Sequence, residues 1–231
     1  MPSTKRVLSV NVGQPREISW RGKRITTCIF REPVAGRVVV RRLHLEGDQQ
    51  ANLKVHGGLD KAVYAYPAEH YDFWRKEFPG MSLPWGWFGE NLTTEGLLET
   101  AVHIGDRLRI GSAEVQITSP RVPCSTLEAK FEREDMIKRF LASQRTGFYL
   151  AVLQEGEVGA GDPIEVIECD ANQVTVTETT RLYALGPSGS PSPDDLAGLR
   201  RAAQLPALPE NWRARFRERI KKTEAGSRQP D

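Results

Sequence analysis

The chain has 231 residues, 27% of them charged, and a formal net charge of +2 at neutral pH. This near-neutral balance argues against a generic nucleic-acid binder, and no apolar run approaches membrane-spanning length, so we expect neither nucleic acid nor membrane as partner. Three widely spaced cysteines (Cys28, Cys124 and Cys169) argue against a disulfide framework or a four-ligand zinc site, and predict a cytoplasmic location.

Short β-prone runs, separated by glycine and proline, occupy most of the chain up to residue 168. They fall at residues 7–12, 36–40, 63–66, 103–111, 113–118, 148–153 and 162–167. Many short strands joined by glycine turns are typical of a closed or nearly closed barrel. We therefore predict a mainly β fold, a β-barrel with a few interrupting helices.

Two helices are predicted inside this β region. One spans residues 68–78, with Tyr71 and Trp74 at helical spacing, and the other spans residues 126–144, with Phe131 among its apolar positions. Aromatic stripes at this spacing most often pack into a core, so we interpret both as scaffold.

The composition changes after Leu185, where glycine, serine and proline dominate residues 186–193. Ser192 then precedes a proline and two acidic residues, which is a helix-start pattern. The chain is therefore predicted to divide into a barrel domain, residues 1–178, and a small α-helical appendage, residues 179–231, that ends in a disordered tail.

A last helix is predicted from about residue 209, because Trp212, Phe216 and Ile220 are each four residues apart. Its other face is rich in arginine and lysine. Two interpretations stay open: a solvated basic face on a docked appendage, or a surface that binds a partner.

The segment Ser119-Pro120-Arg121-Val122-Pro123-Cys124 holds one thiol beside a proline, with a guanidinium three residues upstream. Prolines fix their own φ angles and favour extended conformations before them, so the segment is stiff. A fixed positive charge near a thiol favours the thiolate, which attacks electrophiles or binds soft metals. The alternative is that Cys124 is a small buried apolar residue.

A second motif surrounds the adjacent glycines Gly57 and Gly58. Glycine permits positive φ, so successive N–H groups can converge on an anion, and Lys54, His56 and Lys61 add donors around the turn. A plain turn with solvated lysines is the alternative. Neither a Walker loop nor a Rossmann glycine pattern is present, so a phosphate site here would use a different motif.

A third motif is Gly89-Glu90-Asn91. A carboxylate beside a carboxamide offers acceptors and donors that suit the edge of a heterocyclic ring. The alternative is that Glu90 and Asn91 only end a turn next to core aromatic residues.

In this order, the three motifs resemble the MOSC-domain family, whose fold is shared with the C-terminal part of molybdenum cofactor sulfurases. The resemblance covers most of residues 5–170, and residues 180–221 resemble the three-helix extension of its YiiM-like branch. It implies a β-barrel that binds the molybdenum cofactor, a molybdenum–pterin group. The general description of the family also includes pyridoxal phosphate binding.

The resemblance also implies residue roles. Cys124 would be the metal ligand, with Arg121 beside it. The cofactor would be held by the glycine turn and the third motif, through Lys54, His56, Gly57, Gly58, Asp60, Lys61, Glu90 and Asn91. His56 could serve as a catalytic proton donor because an unperturbed histidine titrates near neutrality, or it could orient the turn.

Known members of this family include reductases of N-hydroxylated purine bases, hydroxylamines and amidoximes. The chain carries no flavin or iron–sulfur motif, so such a reaction requires a separate electron-donor protein, flavin or iron–sulfur, which the basic last helix could dock. Two alternatives stay open: a non-redox carrier of cofactor or sulfur, and a metal-free enzyme with Cys124 as nucleophile and His56 as base.

Overall fold

The structure is a computed structural model that describes residues 5–49, 57–185 and 191–226. Two of the candidate site residues, Lys54 and His56, lie outside these ranges. So do residues 186–190 of the predicted linker and residues 227–231 of the tail that was predicted to be disordered from residue 224. Residues 224–226 are helical, so for them the prediction of disorder is wrong.

Twelve strands are present in the described residues. They are β1 (Arg6–Val12), β2 (Arg16–Trp20), β3 (Lys23–Thr27), β4 (Glu32–Pro33), β5 (Arg37–Val40), β6 (Val63–Pro67), β7 (Leu92–Glu95), β8 (Arg107–Ile110), β9 (Ala113–Pro120), β10 (Phe148–Gln154), β11 (Gly156–Gly159) and β12 (Ile164–Glu168). The sequence did not predict the β2–β3 hairpin, because its strands are largely exposed and rich in charge and so lack an apolar face.

Eight strands form one sheet in the order β12-β8-β9-β10-β6-β7-β1-β4, and β11–β5 and β2–β3 form two smaller sheets. Neighbours in the large sheet are antiparallel except β6 and β7, which are parallel. A parallel pair needs a crossover, and helix α1 (Glu69–Glu77) lies in that connection. The fold is therefore mixed and dominated by its sheet.

Backbone hydrogen bonds link two strands that are far apart in the order of the large sheet. Val7 of β1 donates to Asp162 and accepts from Gly161, and Ile164 at the start of β12 donates to Lys5, with N···O distances of 2.8 to 2.9 Å. These bonds bring β1 to the segment that enters β12. Closure of the whole sheet into a barrel stays a prediction.

Six α-helices are present in the described ranges. They are α1, α2 (Ser125–Phe131), α3 (Met136–Ser143), α4 (Val176–Ala184), α5 (Pro193–Ala202) and α6 (Glu210–Gly226). The single helix predicted over residues 126–144 is wrong, because Glu132 adopts a left-handed backbone conformation (φ 52°) that ends α2.

Two hydrophobic clusters fill the interior. One joins the strands to the C-terminal helices, so that Trp212 and Phe216 of α6 belong to the same cluster as Val115 and Ile117 of β9. The predicted boundary at residue 178 falls inside α4, and the division into two domains stays a prediction.

The other cluster is rich in aromatic side chains and includes Tyr71, Trp74 and Phe131. The interpretation of the two predicted aromatic stripes as core is therefore confirmed. Because α1, α2 and α3 pack together through this cluster, it fixes the position of α2, and with it the segment that precedes α2.

Candidate functional site

A cavity of about 370 Å³ lies where β9 ends and α2 begins. Arg121 and Cys124 from the connecting segment line it together with Lys61, Asn91 and Tyr149. The structure thus brings four of the predicted site residues to one cavity, although they come from three separate motifs. Tyr149, on β10, was not among the predictions.

The Cys124 side chain is half-buried in the wall of this cavity. β9 pairs with β10 as far as Pro120, which lies opposite Phe148, and the chain then runs extended to Cys124 (φ −131°, ψ 175°). The Cys124 carbonyl accepts a 2.9 Å hydrogen bond from Leu127 N–H in the first turn of α2. Its Sγ atom lies 3.0 Å from Thr126 Oγ1. A strand end and a helix start therefore fix the thiol from both sides.

Arg121 is buried, with 6% of the residue exposed, and its Nη1 has no hydrogen-bond partner among the described residues. The guanidinium lies 5.1 Å from the ring centre of Tyr64 and 5.5 Å from that of Phe140. Burial lowers the pKa of Arg121, but the electrostatic effects of Tyr64, Tyr149 and Cys124 and a hydrogen bond with Tyr149 together raise that pKa overall. Arg121 is thus a fixed cation beside the thiol, with an N–H group left to bind an acceptor.

A buried ion pair supports another part of the cavity wall. Arg31 Nη2 lies 2.8 Å from Asp48 Oδ2, and Arg31 also donates to the Gly89 carbonyl. Asp48 further accepts from Gly13 N–H at 2.8 Å and Asn91 Nδ2 at 2.9 Å. Each charge of the pair compensates the other, so this ion pair positions the wall. Arg31 lines the cavity but carried no motif signal in the sequence.

Asn91 reaches the cavity, while its neighbour Glu90 does not. The Asn91 side chain accepts from Tyr64 N–H at 3.0 Å, in addition to its bond with Asp48, so the protein itself already uses both ends of the amide. Its place at the cavity is therefore also that of a wall residue, tied to β6.

Glu90 is fully buried and does not line the cavity. Its carboxylate accepts from Gly86 N–H at 2.8 Å, Thr93 Oγ1 at 2.9 Å and the Tyr71 hydroxyl. Burial raises the pKa of Glu90, and these donors only partly oppose that shift. The sequence expectation placed Glu90 in the cleft, but residues 86–89 fold back over it, so the carboxylate holds this loop instead.

The glycine motif is only partly at the cavity. Gly58 has a positive φ of 112°, as the use of glycine predicts, and its carbonyl accepts from Lys61 N–H at 3.1 Å. Lys61 lines the cavity, whereas Gly57, Gly58 and Asp60 do not. Gly58 instead borders a separate cavity of about 530 Å³, and the Asp60 carbonyl accepts from Thr118 Oγ1 at 2.6 Å.

Lys130 of α2 is a buried amine that no motif indicated. Its Nζ donates to the carbonyls of Ile29 at 2.9 Å and Gly86 at 3.1 Å, and so ties together two segments of the cavity wall. Burial lowers the pKa of Lys130 to about 7, with the charge of Glu90 acting in the opposite direction. A lysine in a helix resembles any solvated lysine in sequence, so no signal distinguished it.

The described ranges contain no group of three histidine, cysteine, aspartate or glutamate side chains placed to hold a metal ion. Nor is any helix within them long and apolar enough to cross a bilayer.

Comparison with known proteins gives two domain matches and several relatives. Residues 52–165 match the MOSC domain, and residues 191–223 match the YiiM-like, 3-alpha helix domain. The chain is 40% identical to the uncharacterized protein YflK of Bacillus subtilis, over 91% of this chain and 92% of YflK. It is 32% identical to a Gibberella moniliformis protein named reductase, over 70% of this chain but only 29% of that longer protein.

A solved structure agrees with these matches. YiiM from Geobacillus stearothermophilus superposes with a TM-score of 0.76 at 32% identity, covering 94% of this chain and 99% of that one. The resemblance seen in the sequence is thus confirmed over both matched regions. The chain belongs to the MOSC-domain family, in the branch that carries a YiiM-like three-helix domain after the MOSC domain.

Proposed function

We propose that this protein is a molybdenum-cofactor-dependent reductase of N-hydroxylated compounds, with Cys124 as the protein ligand to the metal. Membership of the MOSC family and a relative named reductase support an oxidoreductase. The observation that carries the proposal is the pairing of a half-buried thiol in a cavity wall with the buried Arg121, whose Nη1 lacks a partner in the described ranges.

The residues present fit such a cofactor. Cys124 offers one soft sulfur donor, which suits a soft metal, and Arg121 offers a fixed charge and a free N–H to an anionic group. Since no three-residue metal cluster exists in the described part of the chain, the remaining metal ligands would come from the cofactor itself. The aromatic rings of Tyr64 and Tyr149, which line the same cavity, offer apolar surface to a planar pterin.

The cofactor would supply the two-electron chemistry, which ordinary side chains do not provide. Reduction of N–OH to N–H consumes two electrons and two protons and releases one water. The electrons come from a separate flavin or iron–sulfur protein. Cys124 binds the metal, Arg121 orients the anionic part of the cofactor, and Lys61 adds positive charge at the cavity. His56, outside the described residues, is proposed as the proton donor; orienting the glycine turn is its alternative role.

The decisive experiment compares three proteins purified from a host that makes the cofactor: wild type, Cys124→Ser and Cys169→Ser. Cys169 is exposed and lies outside the lining of the cavity, so it is the matched thiol control. We expect stoichiometric molybdenum and pterin, with viologen-driven reduction of a hydroxylamine, in the wild type and Cys169→Ser, and loss of both in Cys124→Ser.

Two results would count against the proposal. A wild-type protein without molybdenum would remove its basis, and a Cys124→Ser variant with full metal and turnover would remove the proposed ligand. Bound cofactor or persulfide in the wild type with no turnover would instead identify a non-redox carrier. Rapid alkylation of Cys124 in metal-free protein with hydrolytic or transfer activity would favour the cysteine-enzyme alternative.

A further inference from the structure

A second cavity, of about 570 Å³, adjoins the first at the Cys124 segment. Residues of α6 form one of its walls, among them Trp212 and Arg215. Val122, Cys124 and Tyr149 line this cavity as well as the first one. The two cavities therefore meet at the segment that carries the thiol, and α6 of the three-helix domain lines the second of them.

Arg215 differs from Arg217 and Lys222, two other basic residues of α6, in the groups that its side chain contacts. Its guanidinium carbon lies 4.2 Å from the ring centre of Tyr183, which holds the plane in place. Arg217 forms an ion pair with Glu210, and Lys222 forms one with Glu218 at 2.6 Å. Within residues 5–49, 57–185 and 191–226, no carboxylate forms an ion pair with Arg215, and no acceptor receives a hydrogen bond from its side chain.

The charge around this cavity is positive on balance. Lys61 and Arg215 both line it, and its acidic residue, Glu218, is already engaged by Lys222. Arg215 still acts on Glu218 at longer range, since it contributes to lowering the pKa of that carboxyl. A ligand group that contacts Arg215 therefore binds most strongly if it is anionic.

Ser119 is another polar residue at this cavity. It lies on β9, lines the second cavity, and is fully buried. Its hydroxyl has no hydrogen-bond partner among the residues that the structure describes. A buried hydroxyl without a partner is uncommon in folded proteins, and an ordered water is the usual partner of such a group, so this end of the cavity is polar.

We infer that the second cavity is the substrate side of the site and that Arg215 selects N-hydroxylated substrates bearing an anionic substituent, a phosphate or a carboxylate. The anionic group pairs with Arg215, and the N–OH group reaches Cys124, where the two cavities meet. This inference rests on the proposed function and adds a substrate preference to it. It gives the three-helix domain a direct part in recognition.

The kinetic test uses matched substrate pairs with viologen as the electron source. One pair is N6-hydroxyadenosine and its 5′-monophosphate, and the other is benzamidoxime and 4-carboxybenzamidoxime. We expect wild-type kcat/KM to be about tenfold higher for the anionic member of at least one pair, mainly because its KM is lower. The pair that shows this preference identifies the preferred anionic group as phosphate or carboxylate. Arg215→Gln should abolish the preference, and Arg217→Gln, on the same helix, should retain it.

Several results would overturn the inference. Equal kcat/KM for charged and neutral members in the wild type would do so, as would an Arg215→Gln variant that lowers both equally. A variant that slows turnover only with a protein electron donor, and not with viologen, would make Arg215 a docking residue for that donor.

A binding measurement separates this inference from the proposed function. Calorimetric titration with adenosine monophosphate and with adenosine needs no turnover. If the wild type has no reductase activity yet binds the monophosphate more tightly in an Arg215-dependent way, the proposed function fails and the anion site stands. If turnover is present and neither pair shows a preference, the substrate inference fails alone.

Discussion

Lys130 gives the fold a pH dependence that can be measured directly. Its amine is buried between the carbonyls of Ile29 and Gly86 and lies about 5 Å from the ring centres of Phe30 and Trp87. Burial lowers its pKa from 10.5 to about 7. Between these two values the unfolded chain holds a proton on this lysine that the folded chain has released.

The sign and size of the effect follow from proton linkage. Since the unfolded state binds more protons between pH 7 and pH 10.5, the free energy of unfolding rises with pH across that window. The slope approaches about 1.4 kcal/mol per pH unit, and the whole shift corresponds to about 5 kcal/mol. Below pH 7 the contribution of Lys130 is constant. Above about pH 10 the buried tyrosines, whose pKa values burial raises, act in the opposite direction.

Urea denaturation at pH 7, 8 and 9 tests this reasoning with wild type, Lys130→Met and Lys138→Met. Lys138 is exposed on α3 and serves as the matched control. The wild type and Lys138→Met should gain stability with pH, whereas Lys130→Met should lack this gain. Replacement of Lys130 by methionine also leaves two carbonyls without a donor, which lowers the free energy of unfolding by about 1–3 kcal/mol for each. The test therefore compares how this free energy changes with pH, and not its absolute value. Parallel curves for wild type and Lys130→Met would refute the assigned pKa shift.

Three further substitutions probe the scaffold. Gly89→Ala would bring a Cβ atom to 2.7 Å from Ile29 Cγ1 at a φ of +77°, so thermal denaturation should show a loss of about 1–3 kcal/mol; an unchanged melting temperature would contradict the close contact. Asp48→Asn leaves Arg31 buried without its counter-charge and should cost about 3–5 kcal/mol in urea unfolding, a loss below 1 kcal/mol speaking against a buried pair. Ser192→Ala removes the N-cap of α5 and should cost about 1 kcal/mol with molybdenum content unchanged, and loss of metal would contradict that separation.

Much of the fold follows from local sequence signals. Runs bounded by glycine or proline predict β6 and β10, and the aromatic spacing around Trp74 predicts α1 together with its burial. The break between α2 and α3 was missed because one left-handed residue, Glu132, decides it, and glutamate carries no signal for that conformation.

The sequence predicted site residues only where the residue type and its motif indicate a chemical role. Cys124 and Arg121 stand in a proline-bracketed motif, and the structure places both at the cavity. The sequence did not predict Arg31 and Lys130 as site residues, because their roles depend on partners distant in sequence. Ile29, for example, is 101 residues from Lys130. The sequence analysis placed Glu90 in the cleft. The residue type alone does not indicate that residues 86–89 fold over this carboxylate.

The packing of α6 determines how the second cavity can work. Trp212 and Phe216 are 5% and 1% exposed and share a hydrophobic cluster with β9, so swinging α6 away would expose both rings. Truncation of one such buried aromatic residue costs about 3–5 kcal/mol, which makes an undocked α6 rare at equilibrium. A substrate would therefore enter a preformed cavity, and Arg215 would stand in a fixed position on Tyr183 when it arrives. Such a wall discriminates by charge and shape through differences in KM, and a hinged lid would instead change KM and kcat together.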